Sequence, residues 1–329
     1  MTVIDVSGCG SGAVFLIKGK ANLLFEAGMA YAADQMVENI KRELGDAELD
    51  AVLLSHSHYD HVAGLPAVRK AWPGVKTYAS ERAKEILVKP GALKTIRRLS
   101  GEAAEAAGLP WDSEYDDADL QIDVSLEDGE TIELGDHTIY AFATIGHTKC
   151  SMSYLIDDEL MLCSETVGVM GHDGSYMPSF LVDYKAAEES IEYSSELDAK
   201  EIILNHYGLV SEADKAAIWD VLMQKLSLKK NPVWFYEPNI SGFFVSKETY
   251  EALCAEEGRI HIDPDRLIEI LGGNDSLRLH TIRFTRAYTL YSNSVEFSHY
   301  STTDEDFEAY NAKVHELWQK ALDYNNSNS

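Results

Sequence analysis

Asp50-Ala51-Val52-Leu53-Leu54-Ser55 runs straight into His56-Ser57-His58-Tyr59-Asp60-His61. The first half is a buried-strand pattern, a short apolar run with polar ends. The second half puts four potential metal ligands within six residues, just before a helical stretch, Gly64–Ala71. Packing alone does not account for this, because buried polar groups need partners. Side chains at i and i+2 of an extended chain point the same way, so His56 and His58 can grip one ion. Asp60 and His61, turning into the helix, face a second. Neutral imidazoles and carboxylates suit zinc, iron and manganese.

A centre for two ions needs further ligands, and the same arrangement recurs along the chain. Thr138–Thr144 delivers Ile145-Gly146-His147-Thr148, Glu159–Cys163 delivers Ser164-Glu165, and Glu201–Leu204 delivers Asn205-His206-Tyr207-Gly208. Each apolar run ends in a polar residue that one common rim could collect.

Working outward, Thr2–Val6, Ala13–Ile17 and Ala21–Phe25 read as strands, the first two parted by Gly8-Cys9-Gly10-Ser11-Gly12. A helix from Tyr31 to about Leu44 stops at Gly45. Lys76–Ala79 is a strand and Glu81–Leu87 a helix, and Lys89–Ala107 has helical composition. Ser153–Ile156 and Glu159–Cys163 form a hairpin through Asp157-Asp158. Lys185–Leu197 and Ser211–Leu226 are helical. Strands dominate this alternating order, which predicts an α/β (α+β) chain layered αββα rather than a doubly wound sheet.

Asn231-Pro232 and Glu237-Pro238-Asn239 mark a boundary. The expected organisation is a metal-binding domain over 1–228, with a helical insertion at about 86–110, and a mixed α/β extension over 229–329. That extension carries short helices at Lys247–Ala255 and after Asp263-Pro264, a β-like run from Leu277 to Thr302, and a last helix from about Asp304 to Ala321. Insertion and extension are placed to cover the cleft or to form a homodimer interface.

The motif H-x-H-x-D-H, followed by a spaced His, an acidic residue and a last His, resembles that of the metallo-β-lactamase fold superfamily over about residues 1–225. The resemblance implies an αββα sandwich with a dinuclear site at the rim between the sheets, holding two divalent ions, zinc or iron, with manganese a further option. It implies His56, His58 and His147 on the first metal, Asp60, His61 and His206 on the second, and Glu165 bridging. Asp60 and His206 are the candidate catalytic residues, Asp60 by orienting the nucleophile. The spacing around Tyr78-Ala79, the helical insertion and the C-terminal region look most like the quinolone-signal response thioesterase type, which acts on an aminobenzoylacetyl-CoA.

Two departures stand out. The bridging position is usually Asp in the superfamily and here is Glu165. Its extra methylene lengthens the reach, so the carboxylate either still bridges or binds one metal alone. The Leu277–Thr302 region looks β-like where the thioesterase relative carries helices. The implied chemistry is attack by hydroxide from a metal-acidified water on a small thioester or ester. The alternatives are a diiron redox protein lacking a flavodoxin domain, and a regulatory protein with a vestigial site. The flavodiiron kind normally carries Glu where this chain has His58.

Other residues admit blander readings. Ser57, Thr148 and Tyr207 either orient ligands or cap and pack locally. Tyr176, Met177 and Phe180 line a pocket or belong to the core. His137, His172, His261, His280, His299 and His315 are isolated, and Cys150 and Cys163 fit burial as small hydrophobes.

Across 329 residues, 55 Asp+Glu against 28 Lys+Arg leave a formal net charge of -27. So acidic a surface disfavours nucleic acid and anionic membranes as partners, and Lys94-Thr-Ile-Arg97-Arg98 is too short to offset it. No apolar run approaches the roughly 20 residues of a membrane span. Four cysteines without C-x-x-C spacing make no disulfide framework. The expectation is a cytoplasmic enzyme acting on a small-molecule substrate, without nucleic-acid or membrane partners.

Overall fold

The computed structural model describes residues 1–111, 114–171, 174–179 and 183–227. Beyond them it describes Ala255 and four short strands, Pro232–Phe235, Phe243–Ser246, Leu290–Tyr291 and Glu296–Phe297. Six strands make the first sheet: β1 (Thr2–Asp5), β2 (Phe15–Lys18), β3 (Leu23–Phe25), β4 (Ala51–Leu53), β5 (Lys76–Ser80) and β6 (Val124–Leu126), in that order. The first three run antiparallel, and β3 to β6 are parallel.

The second sheet contains β7 (Glu130–Leu134), β8 (His137–Ala143), β9 (Met152–Ile156), β10 (Leu160–Leu162), β11 (Val169–Met170), β12 (Tyr176–Met177), β13 (Glu201–His206) and β14 (Gly208–Leu209). Its order is β12-β11-β13-β10-β9-β8-β7, with β14 on β13. The β9–β10 hairpin turns through Asp157 and Asp158, both left-handed at φ 55° and 53°, the geometry that suits the twist of the strands it joins.

The two-residue side-chain period of each strand sorts the apolar residues into three layers. Phe15, Ile17, Leu23, Phe25 and Leu53 of the first sheet face Ile139, Tyr154, Ile156, Leu162 and Ile203 of the second, forming the layer between the sheets. Their neighbours Leu16, Leu24 and Val52 point outward, under Met36, Val37 and Ile40 of α1 (Ala33–Leu44) and Leu65 and Val68 of α3 (Leu65–Ala71). On the far side, Leu155, Met161, Ile202 and Leu204 pack under Ala187 and Ile191 of α6 (Tyr184–Glu196) and Leu222 and Leu226 of α7 (Ile218–Ser227). Helix, sheet, sheet, helix is therefore the order of layers. In the middle layer the Tyr154 hydroxyl donates to the Leu54 carbonyl at 2.7 Å, tying the second sheet to the segment that leads to His56.

Two further helices precede the second sheet: α4 (Glu81–Ile86), capped by the Ser80 hydroxyl, and α5 (Pro90–Ala107), where a helical stretch was expected. The α5 helix packs against α2 (Tyr59–Val62), a single turn that carries Asp60 and His61. The acidic loop after α5 is anchored as well as solvated: Arg97 pairs with Asp117 at 2.5 Å and lies 4.0 Å over the Tyr115 ring.

One helix is shorter than the sequence suggests. Ser211 to Ala217 forms turns closed by a mix of i to i+3 and i to i+4 bonds, and α7 begins only at Ile218. Asp214 accounts for this, because its carboxylate accepts from the Ser211 and Tyr176 hydroxyls and holds the segment in a local turn. Of the helix expected at 247–255 only Ala255 is described, as helical, and those expected after 264 and over 304–321 lie outside the described residues, as do His172, Phe180, His261, His280, His299 and His315. Within the β-like run of 277–302, Leu290–Tyr291 pairs antiparallel with Glu296–Phe297. Among the described residues, no helix is long and apolar enough to cross a membrane.

The α2 turn is held down where the chain comes closest to itself. Ala27 N–H donates to the His61 carbonyl at 2.8 Å and Gly64 N–H to the Gly28 carbonyl at 3.1 Å. A Cβ on Gly64 would stand 2.0 Å from the Ala27 carbonyl oxygen, which is backbone and cannot swing aside. Gly64→Ala is expected to lower stability by about 1–3 kcal/mol, the range for overpacking, read as a lower urea midpoint at unchanged slope.

Candidate metal centre

Each candidate ligand sits just beyond a strand. His56 and His58 follow β4, with Asp60 and His61 on α2, and His147 follows β8. Glu165 follows β10, and His206 is the last residue of β13. The side chains converge as two clusters: His56, His58 and His147 in one, and Asp60, His61, Glu165 and His206 in the other, with the donor atoms of each within 4.8 Å of one another.

In the first cluster, His58 Nδ1 is 3.1 Å from His147 Nε2, two ring nitrogens that tolerate such an approach only with a proton or a cation between them. His56 Nε2 is buried without a hydrogen-bond partner, while its Nδ1 lies 2.8 Å from the Ser55 hydroxyl. An orphaned ring nitrogen facing two other imidazoles fits a cation, and the donor chemistry fits zinc or iron.

In the second cluster, Glu165 Oε1 is 2.8 Å from both His61 Nε2 and His206 Nε2, and Asp60 Oδ2 is 3.4 Å from His61 Nε2. The other oxygen of Glu165, Oε2, lies 3.5 Å from His147 Nε2 in the first cluster. One carboxylate thus faces both groups.

The two clusters differ in charge. Burial, together with the neighbouring His61, His58 and His147, holds His56 well below its usual range. Burial and His147 bring His58 down to about 4. Both are neutral at pH 7. In the second cluster burial works against every charge but is outweighed. Asp60 and Glu26 hold His61 well above its usual range, and Glu165 raises His206. In return, His61 and His206 keep Asp60 below the ordinary carboxylate range, and His147, His206 and His61 do the same for Glu165. The raised pKa values of His61 and His206 favour protons there, the positive charge that an ion would bring.

Three surrounding residues are not apparent from the motif. Glu26, fully buried in a left-handed conformation at φ 65°, has Oε1 3.3 Å from His61 Nδ1 and accepts from Ser55 N–H. Asn205 donates to Glu26 Oε1 at 3.0 Å and accepts from His206 N–H at 2.7 Å. Ser55 stands between them beside His56. A signal existed: Leu23-Leu24-Phe25 ends in Glu26 just as other apolar runs end in His147 and His206.

Of the groups singled out from sequence, the Ser57 hydroxyl is 3.4 Å from Cys150 Sγ and Thr148 Oγ1 is 2.7 Å from Ser151 Oγ. Tyr207 closes one side of the site, its ring filling the space beside Gly12 and its hydroxyl donating to the Gly10 carbonyl. Cys150 and Cys163 are buried, and His137 is a buried partner of Asp157 at 2.7 Å. Tyr176 is engaged with Asp214.

Comparison with known proteins agrees with this architecture. Residues 7–162 match the family model of the metallo-beta-lactamase superfamily. A hydroxyacylglutathione hydrolase of Acidiphilium cryptum is 31% identical over 153 residues, 46% of this chain and 47% of that protein. A metallo-beta-lactamase fold-containing protein of Sulfurisphaera tokodaii is 28% identical over 170 residues, 50% of this chain and 62% of that protein. The chain therefore spans about half the length of these curated relatives. A solved archaeal metallo-beta-lactamase superfamily protein from Sulfolobus tokodaii superposes with a TM-score of 0.54 at 22% identity, covering 73% of this chain and 90% of that one, a likeness of fold.

The charge difference sets a pH dependence. An ion entering the second cluster displaces protons from His61 and His206, whose pKa values are raised, so its affinity there is expected to increase as pH rises through neutrality. In the first cluster His56 and His58 are already neutral at pH 7, so they give up no proton to an ion entering there at neutral pH. Zinc titrations of Asp60→Ala, which retains the first cluster, and His58→Ala, which retains the second, at several pH values read the two responses separately.

Proposed function

We propose that this metallo-beta-lactamase superfamily domain is a metal-dependent hydrolase that cleaves a small thioester or ester at a two-ion centre. The observation that carries the reading is Glu165, whose Oε1 serves one cluster while Oε2 faces the other. His56, His58 and His147 would hold one divalent ion, and Asp60, His61 and His206 the other. Such ions, when bound, acidify water at neutral pH and polarise a carbonyl.

The chain's own groups have separable tasks. Asp60, 17% exposed and held ionised, is the carboxylate of its cluster open enough to accept a hydrogen bond from an attacking water and orient it. His56 and His61, both fully buried, serve to fix geometry. His206, 18% exposed, stands at the open side of the second cluster. Tyr207 and the Gly8–Gly12 loop bound that side.

Hydrolase names among the relatives, including a probable polyketide biosynthesis zinc-dependent hydrolase of Bacillus velezensis that is 30% identical over 134 residues, support hydrolysis as the reaction class. The all-imidazole first cluster favours this over diiron redox chemistry. A ligand set with every member in place favours an active enzyme over a vestigial site. The thioester preference continues the resemblance to the quinolone-signal response type.

Initial rates against acyl-CoA and acylglutathione thioesters, with bound metals measured in the same sample, test the reading. Turnover of at least one thioester is expected, lost in His147→Ala and reduced about 10²–10⁴-fold in Asp60→Asn. Absence of turnover on every thioester and ester with two ions bound per chain would overturn it.

A further inference from the structure

We propose that Asn205 is a positioning residue that serves both ion clusters at once, through a buried unit it forms with Glu26 and Ser55. The inference rests on the two-ion reading above and concerns residues outside its seven ligands; one of them, Glu26, also groups with His56 and His61 as donors that could hold an ion.

Asn205 is fully buried at the end of β13, and its amide is used on every side. Nδ2 donates to Glu26 Oε1 at 3.0 Å and to the Ser55 hydroxyl at 3.3 Å, and Oδ1 accepts from His206 N–H at 2.7 Å. The opposite amide orientation would set oxygen against a carboxylate and NH2 against an N–H, so these contacts fix which way the group points.

From this amide, contacts lead to three ligands. Ser55 Oγ is 2.8 Å from His56 Nδ1, in the first cluster. A cation on His56 Nε2 leaves the proton on Nδ1, where Ser55 Oγ accepts it. Glu26 Oε1 is 3.3 Å from His61 Nδ1, in the second cluster, so Nε2 is the nitrogen turned toward Asp60 and Glu165. The bond to His206 N–H holds a backbone that is left-handed at φ 64°, a conformation uncommon for residues other than glycine.

Glu26 is itself left-handed and comes from the other sheet, so the unit also pins the two sheets at the rim. Ser55 reaches the first cluster, and Glu26 lies beside His61 of the second and within 4.8 Å, donor atom to donor atom, of His56 in the first. Asn205 is the group through which the orientation of both sets of imidazoles is made mutually consistent.

The test isolates each cluster and probes it with Co²⁺ alone. Asp60→Ala keeps the first cluster and His58→Ala the second. Asn205→Ala is introduced into each, and Co²⁺ affinity and the visible ligand-field spectrum are recorded. Loss of a residue that orients ligands typically costs 10–100-fold in metal affinity, and a loss of about that size is expected in both backgrounds, with altered spectra. Ser55→Ala should weaken the first background alone.

Asn205→Asp, nearly isosteric, keeps the acceptor for His206 N–H but sets a carboxylate against Glu26, and should also weaken both. It carries the measurement if the alanine variant does not fold. Unchanged affinity in either background overturns the proposal. So does a loss matched by an equal fall in melting temperature of the metal-free protein, which would mark general destabilisation. Two filled sites in the parent with no effect of Asn205 would sink this inference alone, whereas a parent that binds no Co²⁺ would sink the two-ion reading beneath it.

Discussion

The Glu165 carboxylate lies almost wholly buried between two groups of imidazoles, and the surrounding structure is arranged to make that burial tolerable. An uncompensated buried charge costs several kcal/mol, so the anion requires cations at hydrogen-bonding distance. His61 and His206 supply them, each 2.8 Å from Oε1. His61 in turn lies on a one-turn helix pinned to the end of β3, and His206 on a strand end in an unfavourable backbone conformation. Both placements depend on the sheets facing each other across the middle layer, with the rim open at one end. The packing of Phe25, Tyr154 and Ile203 is thus part of the electrostatics, because it sets how closely opposed strand ends can approach.

The use of glutamate, where the resemblance leads one to expect aspartate, becomes understandable in these terms. The additional methylene lets one oxygen sit between His61 and His206 while the other comes within 3.5 Å of His147. Its carbonyl also accepts from Ser179 N–H, so the backbone behind the carboxylate is held from the loop that follows β12. Longer reach and a tethered backbone together favour spanning over binding on one side.

Much of this could be read from the chain. Apolar runs ending in His56, His147, Glu165 and His206 announce both the strands and the rim, because a polar residue after a buried run has to emerge at a sheet edge. The layering follows from the period-2 alternation in segments such as Phe15-Leu16-Ile17. What escaped reading was long-range. Nothing adjacent to Glu26 hints that Asn205, 179 positions away, completes its hydrogen bonding. Ser57 and Thr148, nearer the ligands in sequence, spend their hydroxyls on Cys150 and Ser151. Ser211–Ala217 failed for the opposite reason: helical composition lost to a local side-chain network that only the fold brings together.

The positions of the ligands along the chain have a consequence for biosynthesis. The all-imidazole cluster is complete once His147 has been made, when only the first sheet and part of the second exist. The carboxylate-bearing cluster waits for Glu165 and then His206, on the strand inserted between β10 and β11. On the two-ion proposal, an ion captured early by a nascent chain would therefore meet only the imidazole cluster, before Glu165 and His206 are made. The second cluster is completed in the same step that seats β13 between β11 and β10.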